Sequence, residues 1–294
     1  MPTVAQAFHD FLTDIELKPN EQETASQQQN DLRERLRTRM AGIARDFLVG
    51  SYARRTAIRP LNDIDVFLTL DRAVHGHRLS SAPLLLLEDL QRALRDCYPA
   101  PGPRTRIQGR SVNIEFSSSG IGFDLIPAFR DGYRPENYDI PDRHRSTWIK
   151  TNPERHKEKC IEANNRADGA LNQLIKAAKH WNYLQRDANG DKPLRSFHLE
   201  VMAYSAFTAA PRNPREGMAL LLGHLADRMA FSCPEPAGLG PNLDADLTPA
   251  ERDRAQRALQ QASTRAGEAV RHETTHASHA HQCWRELFGA EYKP

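Results

Sequence analysis

Two aspartates one residue apart, Asp63 and Asp65, head the apolar run Asp63-Ile64-Asp65-Val66-Phe67-Leu68-Thr69-Leu70. Ile64, Val66, Leu68 and Leu70 alternate with Asp63, Asp65, Phe67 and Thr69, so a strand of period 2 puts both carboxylates on one face. Side by side they repel each other unless a cation lies between them. Mg²⁺ is usually held by one or two carboxylates together with substrate phosphates, so metal-assisted chemistry on a phosphate ester is the reaction class these residues point to. Upstream, Gly50-Ser51 is a small-residue turn at which backbone N–H groups approach an anion closely.

These residues need a scaffold. Residues 105–129 read as a hairpin: Val112, Ile114 and Phe116 alternate, Ser117-Ser118-Ser119-Gly120 turns, and Ile121, Phe123 and Leu125 alternate on the return. Asp124 is out of phase with Phe123 and Leu125 and faces the other way. Residues 4–17 read as a short amphipathic helix. Asn20 with Glu23 reads as a capping box opening a helix through Phe47, with Leu32, Leu36, Met40, Ile43 and Phe47 as its buried stripe. A polar loop over 71–82, with His75 and His77, precedes a helix near 83–97 capped by Ser80 or Ser81, with Pro83 in the first turn. Residues 130–152 read as a long loop.

From Pro153 onward the pattern is helical. Ser196 caps a helix from Phe197 to near Thr208, Pro214 opens another, and the capping box Thr248-Pro249-Ala250-Glu251 starts a long helix to near His272. A last helix ends near Phe288-Gly289. Helix, mixed sheet, then helices only predicts an α+β chain, with an N-terminal lobe over 1–150 carrying the sheet and an all-helical lobe over 151–294.

A Gly-Ser turn, a helix-length gap and Asp-x-Asp on a strand resemble the signature of the polymerase-β-type nucleotidyltransferase superfamily. Within it, Gly50-Ser51 through Asp63-Ile64-Asp65 most resembles the bacterial CD-NTases, relatives of cyclic GMP-AMP synthase and oligoadenylate synthase. The resemblance implies a third carboxylate on a neighbouring strand, and Phe123-Asp124-Leu125-Ile126-Pro127 matches that strand. It implies two-metal catalysis, with Asp63 and Asp65 holding two Mg²⁺ ions roughly 3.5–4 Å apart, Mn²⁺ the alternative, and Asp124 completing the site of the ion that activates the acceptor hydroxyl. By the same resemblance Gly50 and Ser51 donate to the triphosphate, Lys179 contacts the donor phosphates, Ser196 hydrogen-bonds a phosphate and Phe197 stacks on the donor base. Many relatives carry tyrosine at this last position; phenylalanine keeps the stacking face without the hydroxyl.

The resemblance further implies a long N-terminal helix acting as a spine along both lobes, with the helical lobe as the other wall of the nucleotide cleft. The implied activity is condensation of nucleoside triphosphates into a cyclic oligonucleotide with pyrophosphate release. The product would be a diffusible second messenger for an effector in anti-phage (CBASS-type) defence, and a regulatory protein partner is left open. Two alternatives stand beside it: a terminal nucleotidyltransferase acting on RNA or protein, such as a toxin–antitoxin transferase, and a non-catalytic double-stranded nucleic-acid sensor. The intact aspartates argue against the sensor.

Composition narrows the field. Of 294 residues, 39% are hydrophobic and 27% charged, enough for a sizeable core, and 40 basic against 38 acidic residues leave a net charge of +2. That balance gives no global nucleic-acid footprint, so phosphate binding rests on local groups, with Arg54, Arg55 and Arg59 weighed as pocket lining against a solvated arginine face. Cys97, Cys160, Cys233 and Cys283 form no CxxC pair, which predicts reduced thiols in a cytoplasmic protein. No apolar run approaches the roughly 18 residues of a membrane span. Zinc is weighed for His272, His276, His279, His281 and Cys283; with one cysteine and no paired motif, a His-rich helix surface is the reading preferred. Cys283-Trp284-Arg285-Glu286-Leu287-Phe288-Gly289 also resembles the way CD-NTases close their last helix.

Overall fold

The computed structural model describes residues 2–294. Among them the elements follow in the order α1 (Val4–Asp14), α2 (Pro19–Arg39), β1 (Ile43–Leu48), α3 (Gly50–Ala53), β2 (Asp63–Leu70), α4 (Arg72–His75), α5 (Pro83–Cys97), β3 (Arg104–Ile107), β4 (Val112–Phe116), β5 (Ile121–Arg130), β6 (Tyr138–Asp142), β7 (Thr147–Thr151), α6 (Pro153–Arg166), α7 (Ala170–Leu184), α8 (Ser196–Ala203), α9 (Pro214–Arg228), α10 (Pro249–His272) and α11 (Ala277–Phe288). They divide into two compact units. One comprises Leu17–Arg55 and Arg59–Lys157; the other comprises the chain up to Glu16, Thr56–Ile58 and Glu158–Pro294. The expected lobes, 1–150 and 151–294, differ from these units at the N-terminus, where α1 belongs with the helices, at the short segment Thr56–Ile58, and at residues 151–157, which fall with the sheet.

The first unit is built on a mixed sheet ordered β1-β2-β5-β4-β3, with β6 on β5 and β7 on β6. β2 and β5 are parallel; the other neighbours are antiparallel. α2, packed beside α5, sets Leu32 and Leu36 against Val66, Leu68 and Leu125, so one face of β2 and β5 is sealed by helix. On the opposite face Phe67 packs with Ala128, Tyr138 and Ile140. That cluster closes the far end of the face on which Asp63 and Asp65 begin.

Several expectations are corrected here. α2 stops at Arg39 rather than Phe47: Met40 is extended (φ −124°, ψ 100°), Gly42 takes φ +73°, and Ile43 begins β1. Ile43 and Phe47 are four apart, an even spacing that suits one face of a strand as well as a helix stripe. At the start of α2 the Glu21 carboxylate accepts from the Lys18 amide at 2.8 Å, and Lys18, a donor only, completes no reciprocal box, so the expected pairing of Asn20 with Glu23 is not what caps the helix. α5 is preceded by Ala82, with no side-chain cap, so neither Ser80 nor Ser81 serves, and the polar loop before it contains α4, capped by Asp71. The long loop 130–152 holds the β6–β7 hairpin. Pro141 lies within β6, which pairs with β5 only through Tyr138 and Asp139, so beyond them one strand edge requires no donor.

The helical unit is held by aromatic packing. Phe11 stacks on Phe288 at 4.2 Å between centroids, Phe8 meets Trp284 edge-on at 4.7 Å, and Trp181 is buried among the same helices. The Thr248 box is made as read, Thr248 accepting from the Glu251 amide at 3.3 Å while Glu251 accepts from the Thr248 amide at 2.8 Å. Among the described residues no helix is long and apolar enough to cross a membrane.

Candidate active site

Strand register assembles the carboxylates. β2 and β5 pair Asp65 with Asp124, β5 and β4 pair Asp124 with Asn113, and β4 and β3 pair Asn113 with Arg106. Residues paired across neighbouring strands project to one face, so a row Arg106, Asn113, Asp124, Asp65 crosses the sheet, and Asp63, two positions from Asp65, shares that face opposite Gly122. The three aspartates singled out in the sequence thus come together, on the face that α2 leaves uncovered.

Two glycines make room for them. Gly50 has φ +63°, and a Cβ on it would lie 1.7 Å from Asp65 Oδ2, so the turn backbone sits directly against that carboxylate. The Val49 amide donates to the Asp65 carbonyl at 2.9 Å, extending the β1–β2 ladder to the turn. A Cβ on Gly122 would lie 2.9 Å from Asp63 Oδ1 and 3.1 Å from Asn113 Nδ2. Gly122 and Asn113 are site residues that the sequence reading did not single out. The signal was present for Asn113, which falls in the polar phase of Val112-Asn113-Ile114 opposite Asp124.

Electrostatics mark Asp124 as the strained member. Its pKa is raised, first by burial, which disfavours the charged form, and further by the neighbouring charge of Asp63. The Asn113 amide, donating to Asp124 Oδ1 at 2.9 Å, and the more distant Arg106 act the other way. A cluster of carboxylate oxygens on one face, with one member pushed toward neutrality by another, suits a hard divalent cation, which reverses both the crowding and the desolvation. The residues fit Mg²⁺ or Mn²⁺.

The remaining predicted residues are distributed as follows. Ser51 lies in the single turn α3; Arg54 and Arg55, with Arg33, Arg45 and Lys157, border a groove beside Gly50. Arg59 is held by Glu21 at 2.9 Å. In the helical unit Lys179 is 6% exposed, and its ammonium is 2.8 Å from Glu200 and donates to the Thr56 carbonyl at 3.0 Å. Ser196 is the first residue of α8 rather than its cap, which is Arg195, and its Oγ accepts from Lys192 at 3.2 Å. Phe197, half-buried, follows it; α8 ends at Ala203, short of Thr208.

Comparison with known proteins adds the following. Residues 1–164 match the model of the Second Messenger Oligonucleotide or Dinucleotide Synthetase domain. A cyclic AMP-AMP-AMP synthase of Acinetobacter is 29% identical over 254 residues, covering 82% of this chain and 69% of that protein. Among solved structures, Vibrio cholerae DncV, a cyclic AMP-GMP synthase seen with the linear intermediate 5′ pppA(3′,5′)pG, superposes with a TM-score of 0.78 at 15% identity, covering 97% of each chain. Escherichia coli MS115-1 CdnC, seen in complex with a HORMA protein, superposes with a TM-score of 0.72 at 19% identity, covering 99% of this chain and 98% of that one.

Proposed function

Because the chain belongs to the Second Messenger Oligonucleotide or Dinucleotide Synthetase family, within which it is a bacterial CD-NTase, we propose that it joins nucleoside triphosphates into a cyclic oligonucleotide and releases pyrophosphate. The observation that supports the catalytic assignment is the register that sets Asp65 beside Asp124 on parallel strands, with Asp63 on the same face and the Gly50 turn against Asp65.

In this reading Asp63, Asp65 and Asp124 hold the Mg²⁺ or Mn²⁺ ions. When bound, such ions lower the pKa of an attacking ribose hydroxyl and neutralise charge on the triphosphate and the departing pyrophosphate. Asn113 orients Asp124 through its amide and favours the ionised form of that carboxylate. The Gly50 and Ser51 backbone amides and the Ser51 hydroxyl bind triphosphate oxygens. No side-chain nucleophile is required, because an in-line displacement depends on positioning and charge neutralisation. Lys179 acts through Thr56, whose carbonyl and hydroxyl its ammonium holds at 3.0 and 3.2 Å, rather than by touching phosphate. Ser196 and Phe197 keep their roles as phosphate and base contacts.

Since the Acinetobacter relative is a cyclic AMP-AMP-AMP synthase, a cyclic adenylate trimer is the first product to look for. Its target would be a separate effector in anti-phage signalling, and the HORMA complex of CdnC makes a HORMA-type protein the regulatory partner to test. The test is incubation with the four nucleoside triphosphates and Mg²⁺, with and without such a partner, followed by phosphatase and mass spectrometry. A phosphatase-resistant cyclic product formed without added RNA or protein acceptor is expected. Label found only on an added macromolecule overturns the reading in favour of a terminal transferase.

A further inference from the structure

The tail histidines do not act as one group. His281 is buried and bonds the Tyr292 hydroxyl at 2.9 Å, whereas His279 and Cys283, one turn apart on α11, face α10. There they meet Glu268: its carboxylate, His279 Nε2 and Cys283 Sγ all lie within 4.8 Å of one another. Glu268 and His272 are also one turn apart, so each helix contributes a pair of potential ligands at i and i+4. The His272 ring centroid is 5.0 Å from that of His279. We propose that Glu268, His279 and Cys283 form a binding site for a zinc-class divalent ion, with His272 or water in the fourth position.

The geometry is close to what the ion demands. A Zn–S bond of about 2.3 Å and a Zn–N bond of about 2.05 Å at the tetrahedral angle set sulfur and nitrogen about 3.6 Å apart. Sγ and Nε2 are 3.6 Å apart in the structure, and Sγ to Glu268 Oε2 is 4.0 Å, a gap that a small rotation of the carboxylate closes. Thiolate, imidazole and carboxylate together select a borderline-soft ion rather than the hard ions suited to the aspartate row. Cys283 is fully buried and His279 is exposed, so the site has one anchored and one accessible ligand. Glu268 borders an open groove, which supplies an entry path.

Arg265 now occupies part of this seat. Its Nη1 donates to Glu268 at 2.9 Å and lies 4.0 Å from Cys283 Sγ, while its Nε pairs with Glu286 at 2.9 Å. An entering cation takes over the Nη1 contacts and leaves the Glu286 pair in place, and Arg265, 40% exposed, has room to turn outward. Binding releases the Cys283 thiol proton to solvent, so affinity rises with pH. The sequence pattern hid the site because nothing in the spacing of α10 distinguishes Glu268 from the other acidic residues of that helix, and its meeting with Cys283 depends on how α10 and α11 pack.

Full-length protein, stripped of metal and kept reduced, is titrated with Co²⁺ as a spectroscopic stand-in for Zn²⁺. The expected result is a thiolate-to-cobalt charge-transfer band with the visible bands of tetrahedral cobalt, saturating at one equivalent and displaced by Zn²⁺. Cys283→Ser abolishes the charge-transfer band; His279→Gln and Glu268→Gln each weaken binding by at least about tenfold. Arg265→Gln, which removes the competing cation, tightens binding. The aspartate row contains no sulfur and cannot give the thiolate signature. Absence of that band in folded wild-type protein, its survival in Cys283→Ser, or an undiminished cobalt affinity in His279→Gln overturns the proposal. His279 lies at the surface, so the His279→Gln arm remains decisive should Cys283→Ser fail to fold.

Discussion

In the helical unit the carboxylate of Glu200 is fully buried, and the chain itself answers its charge: the Lys179 ammonium at 2.8 Å, the Thr56 hydroxyl at 2.9 Å and the Tyr204 hydroxyl at 3.1 Å. On the sheet, like charges are brought together instead. Strand register crowds Asp63, Asp65 and Asp124 onto one face, and burial together with the charge of Asp63 pushes Asp124 toward its neutral form. A buried charge must be matched by something. Where the match is built in, the group serves structure; where crowding disfavours ionisation, the group is suited to a ligand that brings positive charge. The two clusters should therefore respond oppositely to mutation.

The largest difference is expected from Asp63→Asn combined with Asp65→Asn. The change removes charge and almost no volume, so pyrophosphate release should vanish while the unfolding midpoint in the absence of Mg²⁺ stays level or rises. A clear fall in stability would mean that these carboxylates are structural, and the contrast with Glu200 would disappear.

Lys179→Met is the complementary experiment. It strands Glu200 without its cation, and breaking a buried pair in this way costs about 3–5 kcal/mol. Urea unfolding should show that loss, and adding Glu200→Gln should recover much of it. If Lys179→Met leaves stability unchanged and raises the KM for ATP, Lys179 is a phosphate contact and the two clusters are alike.

Gly50→Ala tests the cradle. The left-handed backbone costs a non-glycine residue about 1–2 kcal/mol, and the added Cβ falls 1.7 Å from Asp65 Oδ2, so the carboxylate must move. Turnover is expected to drop far more than the midpoint shift accounts for. Gly122→Ala, whose nearest contacts are at 2.9 Å, should give a milder version of the same effect.

Much of the sheet and its aspartates was legible, because period-2 alternation reports which residues share a face, and Asp63, Asp65 and Asp124 each fall in the phase opposite the alternating apolar residues of their strand. What could not be read was the pairing between strands. No local pattern says that Asp65 lies opposite Asp124 rather than Leu125, and a slip of one residue would send the carboxylates to opposite faces. The end of α2 was missed because the spacing of Ile43 and Phe47 fits helix and strand alike. The buried state of Lys179 was hidden for a different reason: its partners, Thr56 and Glu200, lie 123 and 21 positions away in sequence, and charge alone does not distinguish a solvated lysine from a neutralised one.

The smallest expected effect concerns pH and isolates Asn113. Asp124 has a native pKa above its ordinary value of 3.8, so just above that pH the folded chain keeps a proton that the unfolded chain has lost. Stability in the absence of Mg²⁺ therefore falls as pH rises from 3.8 through the native value and is level beyond it. Asp124→Asn removes this fall, stabilising the protein at neutral pH but not at acid pH. Asn113→Ala acts in the other direction. It deletes the amide that favours the ionised carboxylate, so the native pKa climbs further, the window of falling stability widens, and the acid limbs of turnover and of Mg²⁺ affinity move to higher pH. Parallel pH series of chemical unfolding and of pyrophosphate release would reveal both movements. An acid limb that stays in place in Asn113→Ala would show that the protonation of Asp124 does not govern catalysis, and would leave the crowding of the aspartate row without functional consequence.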